Sequence, residues 1–385
     1  MTTLSHHDAA LLKLHLLSEG VTFDRAFLGQ FARDDEWMEK RRVYNDSDER
    51  QLDRTLRIPQ ELYLNDIVVA VNYKHNSPWQ LVYRDHSYRL LGRDGTDVEV
   101  TFPARPRFLA YVTADGTHCD QVANLYGGSS LAFFTPGTCY YFDKGQECKF
   151  CSLKPNRGGQ QFFLPTLSPA LACAVLEIAL QTDAHLLKQI MLVGGNISDY
   201  NQGFQNYLDI ATALDQQQAS LPVAQRLEIH IATMPPHDFG LFAFLHPLNA
   251  CVSMNMEVFD ERRFEIICPG KTHLYGRKQL LQALKYAAQR LSGRVHSVLI
   301  VGLEPTESTI AGIEYLASIG VTPTVNVFHN DRGSHYEQYD RPSFEQLLEV
   351  AQALQRVYKD YHLVPYWKGC GRNALDFEAQ QGWFA

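Results

Sequence analysis

Six short apolar runs punctuate the chain after residue 128: Ser130 to Phe134, Ile190 to Val193, Leu227 to Ala232, Cys251 to Met256, Val295 to Val301 and Thr322 to Phe328. Each reads as a β-strand. Between them lie helical segments with clear start and stop signals. Ser168-Pro169 opens one over residues 171–187, and another from Thr306 to Ile319 is closed by Gly320. Strands that alternate with helices imply a parallel sheet, because parallel strands need crossover connections. Over about 200 residues this predicts an open or partial βα barrel.

The two ends follow other patterns. Residues 9–17 read as helix, and the charged stretch from Asp34 to Arg57 reads as helical and polar. From Glu61 to Phe108 the runs become short and β-like: Ile67 to Tyr73, Gln80 to Arg84, Tyr88 to Leu91 and Val98 to Phe102, divided by Asn76-Ser77-Pro78 and Arg93-Asp94-Gly95. Ser343-Phe344-Glu345-Gln346 is a capping-box start for a helix to about Tyr358. The tail from Tyr361 to Ala385 is too aromatic for a solvated linker and is expected to fold back and close the barrel. The predicted class is α/β: a partial (βα)6 TIM-like barrel over 129–330, a small α+β domain over 1–128 and a helical, aromatic tail over 331–385.

Composition narrows the function classes. Of 385 residues, 45% are hydrophobic and 20% charged, ordinary material for a sizeable core rather than for disorder. A net charge of −8 is the opposite of what a dedicated nucleic-acid binder uses. Asp8, Lys13 and three histidines interrupt the first twenty residues, so no signal peptide or membrane span is read there, and no later run is long and apolar enough to span. A cytoplasmic protein is expected, with neither membrane nor nucleic-acid partner.

Eight cysteines without a secretion signal read as thiols or metal ligands rather than disulfides. Cys119, Cys173, Cys251, Cys268 and Cys370 are scattered and offer no compact set for a second cluster. The other three crowd together directly after the first barrel strand. Eight residues separate Cys139 from Cys148, and Lys149-Phe150 separates Cys148 from Cys151. Three thiolates can hold three irons of a 4Fe–4S cluster and leave the fourth open to a substrate or cofactor. The alternatives are a structural zinc, which normally takes four Cys or His ligands, and chance clustering of buried thiols.

The triplet resembles the signature of the radical S-adenosylmethionine (SAM) superfamily. Cys148-Lys149-Phe150-Cys151 matches its second half, aromatic residue included, whereas the eight-residue first gap is longer than the usual three. Met191-Leu192-Val193-Gly194-Gly195-Asn196 resembles the turn after the second strand that holds the SAM amino group, with Asn196 in place of an acidic residue. Ser253-Met254-Asn255-Met256-Glu257, Arg277-Lys278 and Ile300-Val301-Gly302-Leu303-Glu304 resemble the biotin synthase and lipoyl synthase branch. The resemblance, over residues 129–328, implies that Cys139, Cys148 and Cys151 ligate the cluster and that Asn255 and Glu257 bind the ribose hydroxyls. It further implies that Arg277 or Lys278 pairs with the methionine carboxylate, that Ile300 and Gly302 flank the adenine, and that Phe150 lies beside the open iron. Glu304-Pro305 replaces that branch's Gly-Glu.

The implied activity is reductive cleavage of SAM and abstraction of a substrate hydrogen, with electrons from a reductant such as flavodoxin or ferredoxin. A small biosynthetic metabolite is the expected substrate, and a peptide or protein the alternative. An iron–sulfur carrier or a zinc-organised binding module are the readings of another class. Asn326, His329, Asn330 and Arg332 after the sixth strand, and His230 and Thr233 on the third, are candidate substrate contacts. Cys370 is a candidate thiol hydrogen donor.

Overall fold

The computed structural model describes residues 4–40, 52, 56–157 and 164–385. Most of the charged stretch between Asp34 and Arg57 lies outside the described residues. The first helix, α1 (His6–Glu19), starts where the Ser5 hydroxyl accepts the Asp8 amide at 3.0 Å. Strand β1 (Thr22–Phe23) leads into α2 (Arg25–Phe31), capped by Asp24. A hairpin of β2 (Glu61–Leu64) and β3 (Ile67–Ala70) precedes a meander of β4 (Trp79–Arg84), β5 (Ser87–Gly92) and β6 (Asp97–Glu99), with β1 parallel to β4. Phe27, Phe31, Tyr88 and Phe102 form its centre, largely edge to face, with centroids 5.0 to 6.4 Å apart.

Strand β7 (Ala123–Tyr126) turns back antiparallel onto β8 (Ser130–Phe134). The next elements are α3 (Tyr140–Asp143), α4 (Leu153–Arg157), α5 (Pro169–Asp183), β9 (Gln189–Val193), α6 (Tyr200–Gln217), β10 (Glu228–Ala232) and β11 (Ala250–Ser253). Then come α7 (Glu261–Ile267), α8 (Arg277–Ala288), β12 (Val295–Val301), α9 (Thr306–Ser318) and β13 (Thr322–Val327). The larger sheet has the order β13-β12-β11-β10-β9-β8-β7, and β8 to β13 are parallel in sequence order. These are the six predicted strands, curled into a partial TIM-like barrel. The sheet also takes in β7, which the sequence pattern does not mark. The helices cover the outside, while alternate residues, among them Phe134, Met191, Ala232, Ser253, Val298 and Asn326, face a central cavity.

Helix α10 (Phe344–Tyr361) carries the full capping box: Gln346 N donates to Ser343 Oγ, and Ser343 N donates to Gln346 Oε1. The tail does fold back. Asn373 and Ala374 run antiparallel to β13, with Val327 N donating to Asn373 O and Leu375 N to Val325 O, both at 3.0 Å. Short α11 (Asp376–Gln381) then packs against α10. A buried ion pair joins the ends of the chain: Lys13 Nζ on α1 lies 2.7 Å from Glu378 Oε1 and donates to Gly371 O at 2.8 Å. Among the described residues no helix is long and apolar enough to cross a membrane.

Candidate active site

The first two cysteines are positioned by turns docked onto other segments of the chain. Cys139 precedes α3, and its thiol donates to Asn196 Oδ1 at 2.8 Å, while Tyr140 N donates to Asn196 O, also at 2.8 Å. Gly194 and Gly195 allow this approach. A Cβ on Gly194 would lie 2.4 Å from Pro136 O, and one on Gly195 2.1 Å from Thr138 O. The eight-residue gap is taken up by α3 and a turn at Gly145, whose φ is 64°. This segment rests on the stretch after α7, with Gly270 N donating to Gln146 O at 2.9 Å and Lys149 N to Ile267 O at 2.8 Å.

Cys148 and Cys151 share a tight turn in which Cys151 N donates to Cys148 O at 2.9 Å. Burial pushes the Cys139 thiol up to about 11 and the Cys151 thiol well above its usual range. Cys148 goes the other way, because the Cys268 thiol donates a hydrogen bond to it. The next residue, Ser152, donates to Asp331 Oδ2 at 2.6 Å, tying this turn to the loop after β13. Asp331 also pairs with His329 Nδ1 at 2.8 Å.

At the end of β11 the chain leaves regular geometry. Glu257 has a φ of 64°, a left-handed conformation that costs a non-glycine residue on the order of 1–3 kcal/mol. Its backbone is held between Val298 O at 2.7 Å and Ile300 N at 2.8 Å. Its carboxylate meets Lys271 Nζ at 2.9 Å, and the same ammonium donates to Asn255 O at 2.6 Å. Burial works against the Lys271 charge, but Glu257 and then the Cys148 and Cys268 sulfurs outweigh it and push its pKa up. The Asn255 amide oxygen accepts from Ser253 Oγ at 2.6 Å.

The Cys151 turn, the end of β11 and the loop after β13 open onto one cavity of about 290 Å³ at the carboxyl ends of the strands, whereas Cys148, Gly194, Gly195 and Asn196 lie outside its wall and Cys139 lines a smaller pocket with Thr138, Phe142 and Leu153. Phe150, Cys151, Ser253, Asn255, Glu257 and Ile300 line it, as do Asn326, His329 and Cys370. The tail forms its roof with Tyr366, Trp367 and residues 370–374. Burial pushes Cys370 up to about 12, so it faces the cavity as a neutral thiol. Arg372 lies over the Tyr126 ring at 4.2 Å and pairs with buried Glu61 at 2.9 Å.

Over 235 residues the chain is 25% identical to the bacteriochlorophyllide c C-7(1)-hydroxylase of Chlorobaculum limnaeum, covering 58% of each protein. It thus spans less than two thirds of that relative's length. Among solved structures it is similar to a radical SAM methyltransferase from Sphaerobacter thermophilus, at 15% identity over 73% of this chain and 75% of the other, TM-score 0.43. It is also similar to methylornithine synthase, at 14% identity over 60% of this chain and 64% of the other, TM-score 0.41. No family model matches the chain.

Several residues named from the radical SAM pattern sit away from the cavity wall. Arg277 donates to Phe259 O at 2.6 Å and lies over the Phe259 and Phe264 rings, and Lys278 is exposed. Gly302, with a φ of 103°, lies against Pro342. Glu304 accepts the Phe259 and Asp260 amides and so anchors the start of α7. Thr233 and Asn330 bond to neighbouring backbone carbonyls. Arg332, in the loop after β13, is half-buried. His230 lies buried below the cavity rather than on its wall. The cation paired with Glu257 is Lys271, and a fourth thiol, Cys268, adjoins Cys148. Sequence spacing marks neither. Lys271 follows Glu257 by fourteen residues without a motif, and only folding brings Cys268 to the triplet.

Proposed function

We propose that the chain is a radical SAM enzyme that holds a 4Fe–4S cluster on Cys139, Cys148 and Cys151 and abstracts hydrogen from a small biosynthetic metabolite. One observation carries the reading. Phe150, Cys151, Ser253, Asn255, Glu257 and Ile300, from three separate segments and each named from the pattern, line a single cavity. The thiols suit the cluster. They lie near enough to perturb one another's ionisation. Yet among the described residues the trio of His, Cys or carboxylate ligand atoms within 4.8 Å of one another lies elsewhere. That spread favours one iron per thiolate over a single tetrahedral zinc.

When bound, cluster and SAM supply a one-electron cleavage to methionine and a 5′-deoxyadenosyl radical, which takes a hydrogen atom from the substrate. The chain's own groups bind, orient and exclude. Gly194, Gly195 and Asn196 would hold the SAM amino group, Asn255 and Glu257 the ribose hydroxyls, and Phe150 and Ile300 the adenine. Lys271, rather than Arg277 or Lys278, supplies positive charge beside Glu257 and the cluster thiols. Trp367, Cys370 and Arg372 close the mouth against water, and Asn326 and His329 offer polar contacts to the substrate. A small molecule suits a roofed cavity of about 290 Å³ better than a peptide does, and the similar hydroxylase is named for one, bacteriochlorophyllide c. A flavodoxin- or ferredoxin-type reductant in the cytosol completes the reading.

Anaerobic reconstitution with iron and sulfide, followed by dithionite and SAM, should release 5′-deoxyadenosine and methionine. Each Cys→Ala change in the triplet should abolish the cluster absorption near ~400 nm. Glu257→Gln should weaken SAM binding about tenfold or more with iron content retained. Full cluster content in Cys139→Ala, or no SAM cleavage by the loaded protein, overturns the proposal.

A further inference from the structure

Below the cavity, at the amino ends of the strands, the barrel interior is polar where a packed barrel is ordinarily filled by branched apolar side chains. Glu228 and His230 are two apart on β10 and face the same way, and Cys251 on β11 is the register partner of His230. Their ligand atoms all lie within 4.8 Å of one another. His230 is 1% exposed and Cys251 2%. His296, 3% exposed on the next strand, has its Nδ1 buried without a partner and is close enough to feel both His230 and Glu228. Gln189 Nε2 and Tyr366 Oη are likewise buried and unpartnered. Several orphaned polar atoms around one point call for an explanation.

We propose that Glu228, His230 and Cys251 form a second metal site, for a zinc-type divalent ion, that pins the tail to the floor of the barrel. An imidazole, a thiolate and a carboxylate are the donors zinc prefers, and three of them leave one position for water. The tail is joined to this point already. Lys368 Nζ lies 2.6 Å from Glu228 Oε2, Lys368 N donates to Gln189 Oε1 at 3.1 Å, and the Tyr366 ring stands edge-on to His230 and His296, with centroids at 4.8 and 5.2 Å. A carboxylate has two oxygens, so Lys368 keeps one while the ion takes the other and orients the ligand as outer partners of metal sites do. Trp367 and Cys370, next along the chain, are cavity walls, so the ion would set the roof from beneath. The site is independent of the Cys139, Cys148 and Cys151 triplet.

Cobalt(II) reports on it directly, because a cobalt–thiolate bond adds near-ultraviolet absorption that water, histidine and carboxylate ligands do not. In protein carrying Cys→Ala at 139, 148 and 151, titration with cobalt should raise this band to saturation at about one ion per chain. Adding Cys251→Ser should abolish it, and adding His230→Ala should weaken binding at least about tenfold. Zinc should displace the cobalt. If the triple variant does not fold, zinc per chain in the cluster-loaded protein serves instead, and should fall from about one to near zero in Cys251→Ser. A band that survives Cys251→Ser, no band at all in folded protein, or unchanged zinc content would mean that the floor holds only water, and would overturn the site.

Discussion

Gly195 and Lys271 show how single residues set this site. Gly195 matters through what it lacks: a Cβ there would lie 2.1 Å from Thr138 O and 2.5 Å from the Cys139 Cβ, both fixed parts of the first cysteine turn. Gly195→Ala should therefore displace Cys139 and lower the iron retained after anaerobic reconstitution by roughly twofold or more, with the far-ultraviolet circular dichroism unchanged. Wild-type iron content would show that the turn moves freely. Lys271 matters through what it neutralises. It meets Glu257 in a buried pair, so a variant that removes only one member leaves the other charge stranded.

Among the elements, the turn between the first two cysteines and the last helix carry the most information. Eight residues where three are usual would be a slack loop if unpacked, but α3 takes up half of them and Tyr141 is buried against Gly270 and bonded to the Tyr200 hydroxyl at 3.1 Å. At the start of α11, Asp376 accepts the Trp367 amide at 3.2 Å in full burial, and desolvation pushes its carboxyl up to about 7. A carboxyl whose pKa is raised by folding stabilises the fold fully below its unfolded value near 3.8, and that contribution is lost as pH rises through about 7. Asp376→Asn, permanently neutral and of the same shape, should thus match wild type near pH 4 and exceed it increasingly up to neutral pH. Urea unfolding midpoints across that range test this, and a gap that shrinks as pH rises would refute it.

For the whole molecule, the tail is part of the core rather than an appendage. Phe384 and Leu375 are fully buried, and the tail supplies the partners of two buried charges, Glu378 for Lys13 and Arg372 for Glu61. Lys13→Met should cost on the order of 3–5 kcal/mol by stranding Glu378, and Lys13→Met with Glu378→Gln should recover much of it. Deletion of residues 361–385 strands both Lys13 and Glu61 and should give a chain that unfolds at much lower urea. A truncated protein as stable as the full chain would contradict this. Trp367→Ala, which opens the roof without unpairing a charge, is the better probe of whether the tail keeps water from the cavity.

Local information carried what depends on neighbours in the chain. The six barrel strands are legible because their helix-facing positions, such as Ile229, Ile231, Leu299 and Val325, are buried and apolar even where the inward positions are polar, the Ser343 capping box because its two bonds close within one turn, and the cysteine triplet because its ligands lie within thirteen residues. Strand β7 is not legible, since it is four residues long, carries Asn124 and is defined by pairing with β8. The aromatic tail's role in closing the barrel was legible from its composition, and Tyr366, Trp367 and residues 370–374 do roof the cavity, but tertiary structure alone decided that Lys271 rather than Arg277 stands beside Glu257 and that Cys268 joins Cys148. Each depends on a contact across loops whose length carries little energetic signature, so burial and charge pairing that exist only in the closed fold choose the partner.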